Sequence, residues 1–148
     1  MGAYIPLVSS ELAGPLGVIH LPRLWHKLTL GTTDQLHEEW DLCGGGFDQM
    51  VLDGLGLDRE AAIAFVKEER PSYAQFEAWV KENAGSGCLD AEKIDALNAA
   101  IRGYNHADET RKAILDAAGI EDDGSILDAV NLNNLDDWTE FHQNVIAD

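Results

Sequence analysis

The chain has 148 residues, of which 45% are hydrophobic, and a formal net charge of −17 from 27 acidic and 10 basic side chains. That length suits one domain, residues 1–148, with a core large enough to fold without metals or crosslinks. The negative charge repels phosphate backbones and anionic lipid heads, which argues against nucleic-acid and membrane binding. The charge keeps the protein soluble, which is the simpler interpretation, and it otherwise favours a cationic ligand or a basic protein partner.

A search of the sequence for targeting signals, together with the number of cysteines, narrows the class of protein further. No apolar run reaches the roughly 18 to 20 residues that a bilayer-spanning helix needs. No basic stretch precedes an apolar one, as it does in a secretion signal, so we expect a cytoplasmic protein. Cys43 and Cys88 are the only cysteines, which is too few for a disulfide framework and without the spacing of a zinc site.

The first elements in chain order are an irregular arm, a helix and a loop. Residues 1–20 are rich in Gly, Pro and Ser and predict an irregular N-terminal arm. Pro22 suits the first turn of a helix that ends near Gly31. The apolar stripe of this helix consists of Leu21, Leu24, Trp25 and Leu28. Residues 34–46 close with three glycines and predict a loop.

Capping residues and apolar spacing predict the remaining helices. A short helix follows the glycines, Asp58 caps the next one, and Ser72 with Gln75 has the spacing of a capping box. Further helices begin near Asp90 and Asp108, and Ser125 or Asn134 caps the last one. Trp79 and Trp138 fall on apolar faces and are expected in the core. The sequence therefore predicts an all-α, compact single-domain bundle of about six or seven helices.

A family resemblance rests on residues 21–24, Leu-Pro-Arg-Leu, which follow Gly17. It continues through residues 54–58, Gly-Leu-Gly-Leu-Asp, and the helix that contains Trp79. In these segments the chain resembles a family of small bacterial helical proteins whose domain has no assigned function. The resemblance covers roughly residues 14–105. It implies a compact helical fold and supplies no catalytic residues.

Metal and thiol chemistry are the weaker hypotheses. Five histidines, Asp41 and Cys43 offer the ligand types of zinc or iron, but no His-x-x-x-His or facial-triad spacing is present. We therefore expect neither a metal nor another cofactor. Cys43 precedes the glycines, where its thiol would be approachable, but a lone cysteine is more often an inert apolar group.

Acid–base chemistry is the favoured hypothesis for the segment around the first helix. His26 or His37 would move a proton, while Asp41 or Asp48 would stabilise a developing positive charge. The residues expected to bind the ligand are Arg23, as an anchor for a ligand carboxylate, together with Trp25, Trp40 and Phe47 as apolar walls. If Arg23 is instead matched by a protein carboxylate, it serves an ion pair.

The sequence therefore predicts a cofactor-independent enzyme or binder that acts on a small amine-bearing ligand, which can be aromatic. Condensation, cyclisation and dehydration suit such groups, as in lyases and cyclases. The alternative is an acidic protein-interaction module that binds a basic partner without catalysis. An enzyme should contain a cavity that titratable side chains reach. An interaction module should expose an apolar patch rimmed by acids.

Overall fold

The computed structural model describes residues 4–147, and helices dominate this range. Seven α-helices occur within it, as the sequence predicts, and none has the length and apolarity that crossing a bilayer requires. They are α1 (Leu21–Thr32), α2 (Phe47–Leu55), α3 (Arg59–Glu69), α4 (Tyr73–Asn83), α5 (Ala91–Arg102), α6 (Asp108–Ala118) and α7 (Ala129–Phe141). A short π-helix (His142–Ile146) continues α7. Strand pairing in the described residues is limited to two isolated bridges.

Helix α1 lies at the centre and contacts α2, α3 and α4. Its residues Leu21, Leu24 and Leu28 are fully buried against Phe76 of α4 and the apolar side of α2. A second, smaller apolar cluster joins α6 to α7 through Ile114, Leu115 and Leu132. Burial of these side chains supplies most of the stabilisation, at about 25 cal/mol for each Å² removed from water.

Local capping fixes several helix starts. Ser72 and Gln75 form the predicted capping box of α4, and the Asp58 side chain accepts a hydrogen bond from the backbone of Ala61. The predicted caps of the last helix, Ser125 and Asn134, are wrong, since Asp128 caps α7. The chain around Asp128 pairs with residues 104–106 in an isolated bridge, which keeps it extended until the helix begins.

The N-terminal arm is irregular over residues 4–20, as predicted, but it packs into the domain. The backbone N–H of Leu16 donates to both carboxylate oxygens of the buried Glu77, at 3.1 Å each. Asn98 accepts from the Ile19 N–H at 3.1 Å and donates to the Gly17 carbonyl at 2.8 Å. These contacts hold the arm against α4 and α5 and bring its last residue, His20, to the start of α1.

The two tryptophans expected in the core behave differently. Trp79 stacks on Phe65, with ring centroids 5.1 Å apart, and packs against the main core. The prediction is wrong for Trp138, which is 64% exposed. Helix α6 ends at Ala118, and its apolar side covers Leu132 rather than the later turn of α7 that carries Trp138.

Candidate functional site

A cavity of about 290 Å³ opens between α1, α7 and the loop of residues 34–46 that closes with three glycines, which we call the glycine loop. Its size is close to that of pockets that bind small molecules. Three aromatic rings, those of Trp40, Phe47 and Tyr104, form its apolar wall. Its charged and titratable residues are His20, Arg23, Lys27, Glu39, Asp41, Asp48, His106, Asp136 and Asp137. The cavity is therefore small, and both aromatic rings and carboxylates line it.

His20 lies at the inner wall of the cavity and is only 3% exposed. It precedes α1 with a φ of 69°, in the left-handed region that histidine tolerates better than most residues. Its Nε2 is 2.6 Å from an oxygen of Asp48, and its Nδ1 is 2.9 Å from the hydroxyl of Ser10. The backbone thus directs a buried imidazole between two polar partners.

Burial lowers the pKa of His20 and outweighs the opposing effect of Asp48, so the imidazole is neutral at pH 7. In the neutral ring, Nε2–H donates to Asp48 and the Ser10 hydroxyl donates to Nδ1. Both ring nitrogens are therefore occupied, and His20 positions Asp48 instead of offering a free base. Ser10 is 1% exposed and does not line the cavity, so its hydroxyl is not placed to attack a ligand there.

Asp48 connects three parts of the site. Besides His20, it accepts hydrogen bonds from the Lys27 ammonium at 2.5 Å and the Gly44 backbone N–H at 2.7 Å. Burial alone would raise the pKa of Asp48, but the His20 hydrogen bond and the Lys27 charge outweigh burial and hold the pKa well below its usual range. Asp48 is therefore ionised and ties α1 to the glycine loop at the start of α2.

The glycine loop is held from the opposite side by Arg59. Its guanidinium donates to the carbonyls of Cys43 and Gly44, which fixes the loop at the mouth of the cavity. A Cβ atom at Gly44 would lie 3.3 Å from a carboxylate oxygen of Asp41, so glycine allows that carboxylate to approach closely. The loop therefore presents Asp41 beside Asp48.

Arg23 forms a buried two-pronged ion pair with Asp137 of α7. Its guanidinium nitrogens lie 2.6 and 3.0 Å from the two carboxylate oxygens, and one of them also donates to the Val8 carbonyl at 3.0 Å. The protein itself thus supplies the carboxylate that faces Arg23. This pair holds α7 against α1 at the edge of the cavity.

Three carboxylates of the cavity wall have no cationic partner. The side chains of Glu39, Asp41 and Asp136 make no ion pair or hydrogen bond with any other residue that the structure describes. Asp136 is half-buried, and burial together with the nearby Asp137 and Glu140 raises its pKa. Three carboxylates of the cavity wall are therefore without an ion-pair partner in the described part of the chain, and Asp136 is the partly buried one, whereas Glu39 and Asp41 are exposed to solvent.

Five of the eight residues that the sequence assigns to a site line this cavity. They are Arg23, Trp40, Asp41, Phe47 and Asp48. Arg23 and Asp48 are already engaged by other protein groups, whereas Asp41 and the two aromatic rings face the open space. The segment around the first helix and the glycine loop lines the cavity, and α7 completes the wall.

The other three predicted residues lie outside the lining of this cavity. Nδ1 of His26 accepts from the Val8 backbone at 3.2 Å, and the Trp25 indole donates to the Pro71 carbonyl at 3.0 Å. Nδ1 of His37 accepts from the Glu39 backbone at 3.2 Å, and its ring packs against Trp40. These contacts are structural, so neither predicted histidine faces the space in which a ligand would react.

Sequence reasoning missed His20 and Asp136 as site residues. His20 stands between Val18-Ile19 and Leu21, and this apolar surrounding is a signal of a buried, partnered histidine. Asp136 gives no such signal, because it reaches the cavity only through the packing of α7 on α1. Tyr104, which follows α5, likewise gives no signal in the sequence of its place in the cavity wall.

The described residues give little support for metal or thiol chemistry at the cavity. Within residues 4–147, no three His, Cys, Asp or Glu side chains are grouped so that they can hold a metal ion. Cys43 and Cys88 are free cysteines. Burial, with a smaller contribution from Asp48, raises the pKa of the Cys43 thiol and keeps it protonated, which lowers its nucleophilicity.

No protein-family model matches the chain, and no curated protein matches it significantly. The resemblance of residues 21–24 and 54–58 to a bacterial family of helical proteins therefore stays a prediction.

Proposed function

We propose that the cavity binds a small amine-bearing ligand, which can be aromatic, and that the protein performs acid–base chemistry on it without a cofactor. The observation that carries this proposal is the set of three unpaired carboxylates, Glu39, Asp41 and Asp136, in a wall that also contains aromatic rings.

The charge of the cavity selects for a cation. Arg23 and Lys27 are each paired with a buried carboxylate, so the three further carboxylates leave the lining with more negative than positive side chains, although Arg23 still lowers the pKa of Asp136 in part. A ligand ammonium would therefore meet a net negative charge. Trp40, Phe47 and Tyr104 line the same cavity, and a ligand cation seated over the face of one of these rings would gain about 0.5–2 kcal/mol.

We assign proton exchange with the ligand to Asp136, the half-buried carboxylate of the three. A bound ammonium can lose one N–H proton to the Asp136 carboxylate, which leaves a neutral amine and a neutral carboxyl group. The raised pKa of Asp136 reduces the free-energy cost of that transfer. The free amine is the nucleophile that condensation and cyclisation require, while Asp41 remains to stabilise a positively charged intermediate.

We expect 2-phenylethylamine to raise the melting temperature, and 3-phenylpropionate, of similar size but negatively charged, to leave it unchanged. At about ten times its Kd, a ligand stabilises the folded state by about 1.4 kcal/mol, or roughly 4 °C for a chain of this size. The affinity should fall as the pH falls through the raised pKa of Asp136, because the protonated carboxyl no longer attracts the ammonium. Calorimetric titration at several pH values measures both effects.

The variant Asp136→Asn should bind the amine at least tenfold more weakly and lose most of the pH dependence. Asp95→Asn, which removes an exposed carboxylate on α5, is the matched control and should bind like the parent protein. The proposal fails if a panel of aliphatic and aromatic amines gives no stabilisation. It also fails if the carboxylate binds as well as the amine, or if both variants behave alike.

A further inference from the structure

A second surface, in the C-terminal part of the chain, exposes apolar side chains next to carboxylates. Trp138 is 64% exposed and separates two shallow grooves of about 290 and 320 Å³. Ile120 lines the first groove, Ile126 lines the second, and Leu135 lines both. We call these four residues the Trp138 surface. An exposed tryptophan between two apolar grooves is typical of an interaction site rather than of a solvated helix face.

Carboxylates border this surface. Asp128 lies in the wall of the second groove, and Ile120 also borders a neighbouring groove lined by Asp116, Glu121 and Asp122 together with Lys112. Residues 108–147 contain ten carboxylates and only two cationic side chains, Arg111 and Lys112. Arg111 is already paired with Asp108 and Asp122. Carboxylates therefore outnumber cationic side chains around the Trp138 surface.

This charge decides what kind of molecule can cover the surface. A second copy of the chain would bring an equally negative face against it, and each copy carries a net charge of −17. A positively charged partner gains association rate and affinity from the same charges. Its Lys or Arg side chains can also stack on the exposed face of Trp138.

We propose that the Trp138 surface docks a basic amphipathic helix of another protein. Apolar residues of that helix, spaced three and four apart, enter the grooves on either side of Trp138. Its lysines and arginines face Asp116, Glu121 and Asp128. This interaction is separate from ligand binding in the cavity, because none of the residues of the Trp138 surface lines that cavity.

The test uses a labelled synthetic 18-residue peptide with leucines at helical i, i+3, i+4 and i+7 spacing and lysines elsewhere, together with a scrambled peptide of the same composition. Fluorescence anisotropy with the full chain should show the amphipathic peptide binding at least tenfold more tightly than the scrambled one. Trp138→Ser should remove at least tenfold of that affinity. Leu12→Ser, which changes another exposed apolar side chain (50% exposed) outside the surface, should leave the affinity unchanged.

Equal binding of the two peptides would overturn the proposal, because it would show attraction by net charge alone. An affinity that Trp138→Ser and Leu12→Ser leave equal would overturn it as well. Melting curves of both variants establish that each is folded, since neither side chain belongs to the core. Amine binding in the cavity should persist in Trp138→Ser, which separates this test from that of the proposed function.

Discussion

The variant Asp48→Ala is expected to lose about 3–5 kcal/mol of unfolding free energy. The substitution removes the carboxylate that Lys27 and His20 share as a partner. The side chains of Lys27 and His20 are only 12% and 3% exposed. Breaking a buried pair from one side is costly because the remaining charge loses both its water and its counterion. Urea denaturation followed by circular dichroism measures the loss.

Glu11→Ala provides the comparison for this result. Glu11 pairs with Arg102 at 3.0 Å, and both side chains are about half exposed (47% and 53%). An exposed pair contributes about 0–1 kcal/mol, so this variant should be close to the parent protein. If Asp48→Ala costs no more than Glu11→Ala, Asp48 does not connect α1 to the glycine loop in the way that the geometry indicates.

The variant Asp137→Ala should also cost about 3–5 kcal/mol, because it leaves the buried guanidinium of Arg23 with only the Val8 carbonyl as acceptor. A buried ion pair differs from an unpaired buried charge, since apolar residues of similar volume often replace the whole pair at little cost. The double variant Arg23→Met with Asp137→Leu is therefore expected to recover most of the stability. Denaturation curves of the single and double variants test this prediction.

The contrary outcome is a double variant as unstable as Asp137→Ala alone. It would show that the loss comes from the packing of α7 and not from the unpaired charge of Arg23.

Local signals in the sequence predict the helices well. Ser72 and Gln75 are three residues apart, so the capping box depends only on neighbouring residues and on the backbone between them. The stripe Leu21, Leu24 and Leu28 follows the period of a helix and is fully buried. The same periodicity predicts a buried Trp138 incorrectly, because it shows which side of α7 is apolar but not where the neighbouring helix ends.

Long-range contacts explain why the site is only partly predictable. Asp48 and Phe47 lie near α1 in the sequence, and both of these predicted residues line the cavity. The partner of Arg23 is 114 residues away, and nothing local to either residue indicates the pairing. His20 and His26 look alike in a sequence. They differ because the left-handed backbone at His20 turns that ring into the interior beside Asp48, whereas His26 meets the N-terminal arm.

The resonances of the four tryptophan indole N–H groups test the central claim most directly. Trp40 lines the cavity, Trp25 is bonded to the Pro71 carbonyl, and Trp138 lies on the separate exposed surface. In a titration with 2-phenylethylamine, the proposed function predicts that the Trp40 resonance shifts in a saturable manner while those of Trp25 and Trp138 stay in place. An unchanged Trp40 resonance, or a shift confined to Trp138, would contradict binding of the amine in the cavity.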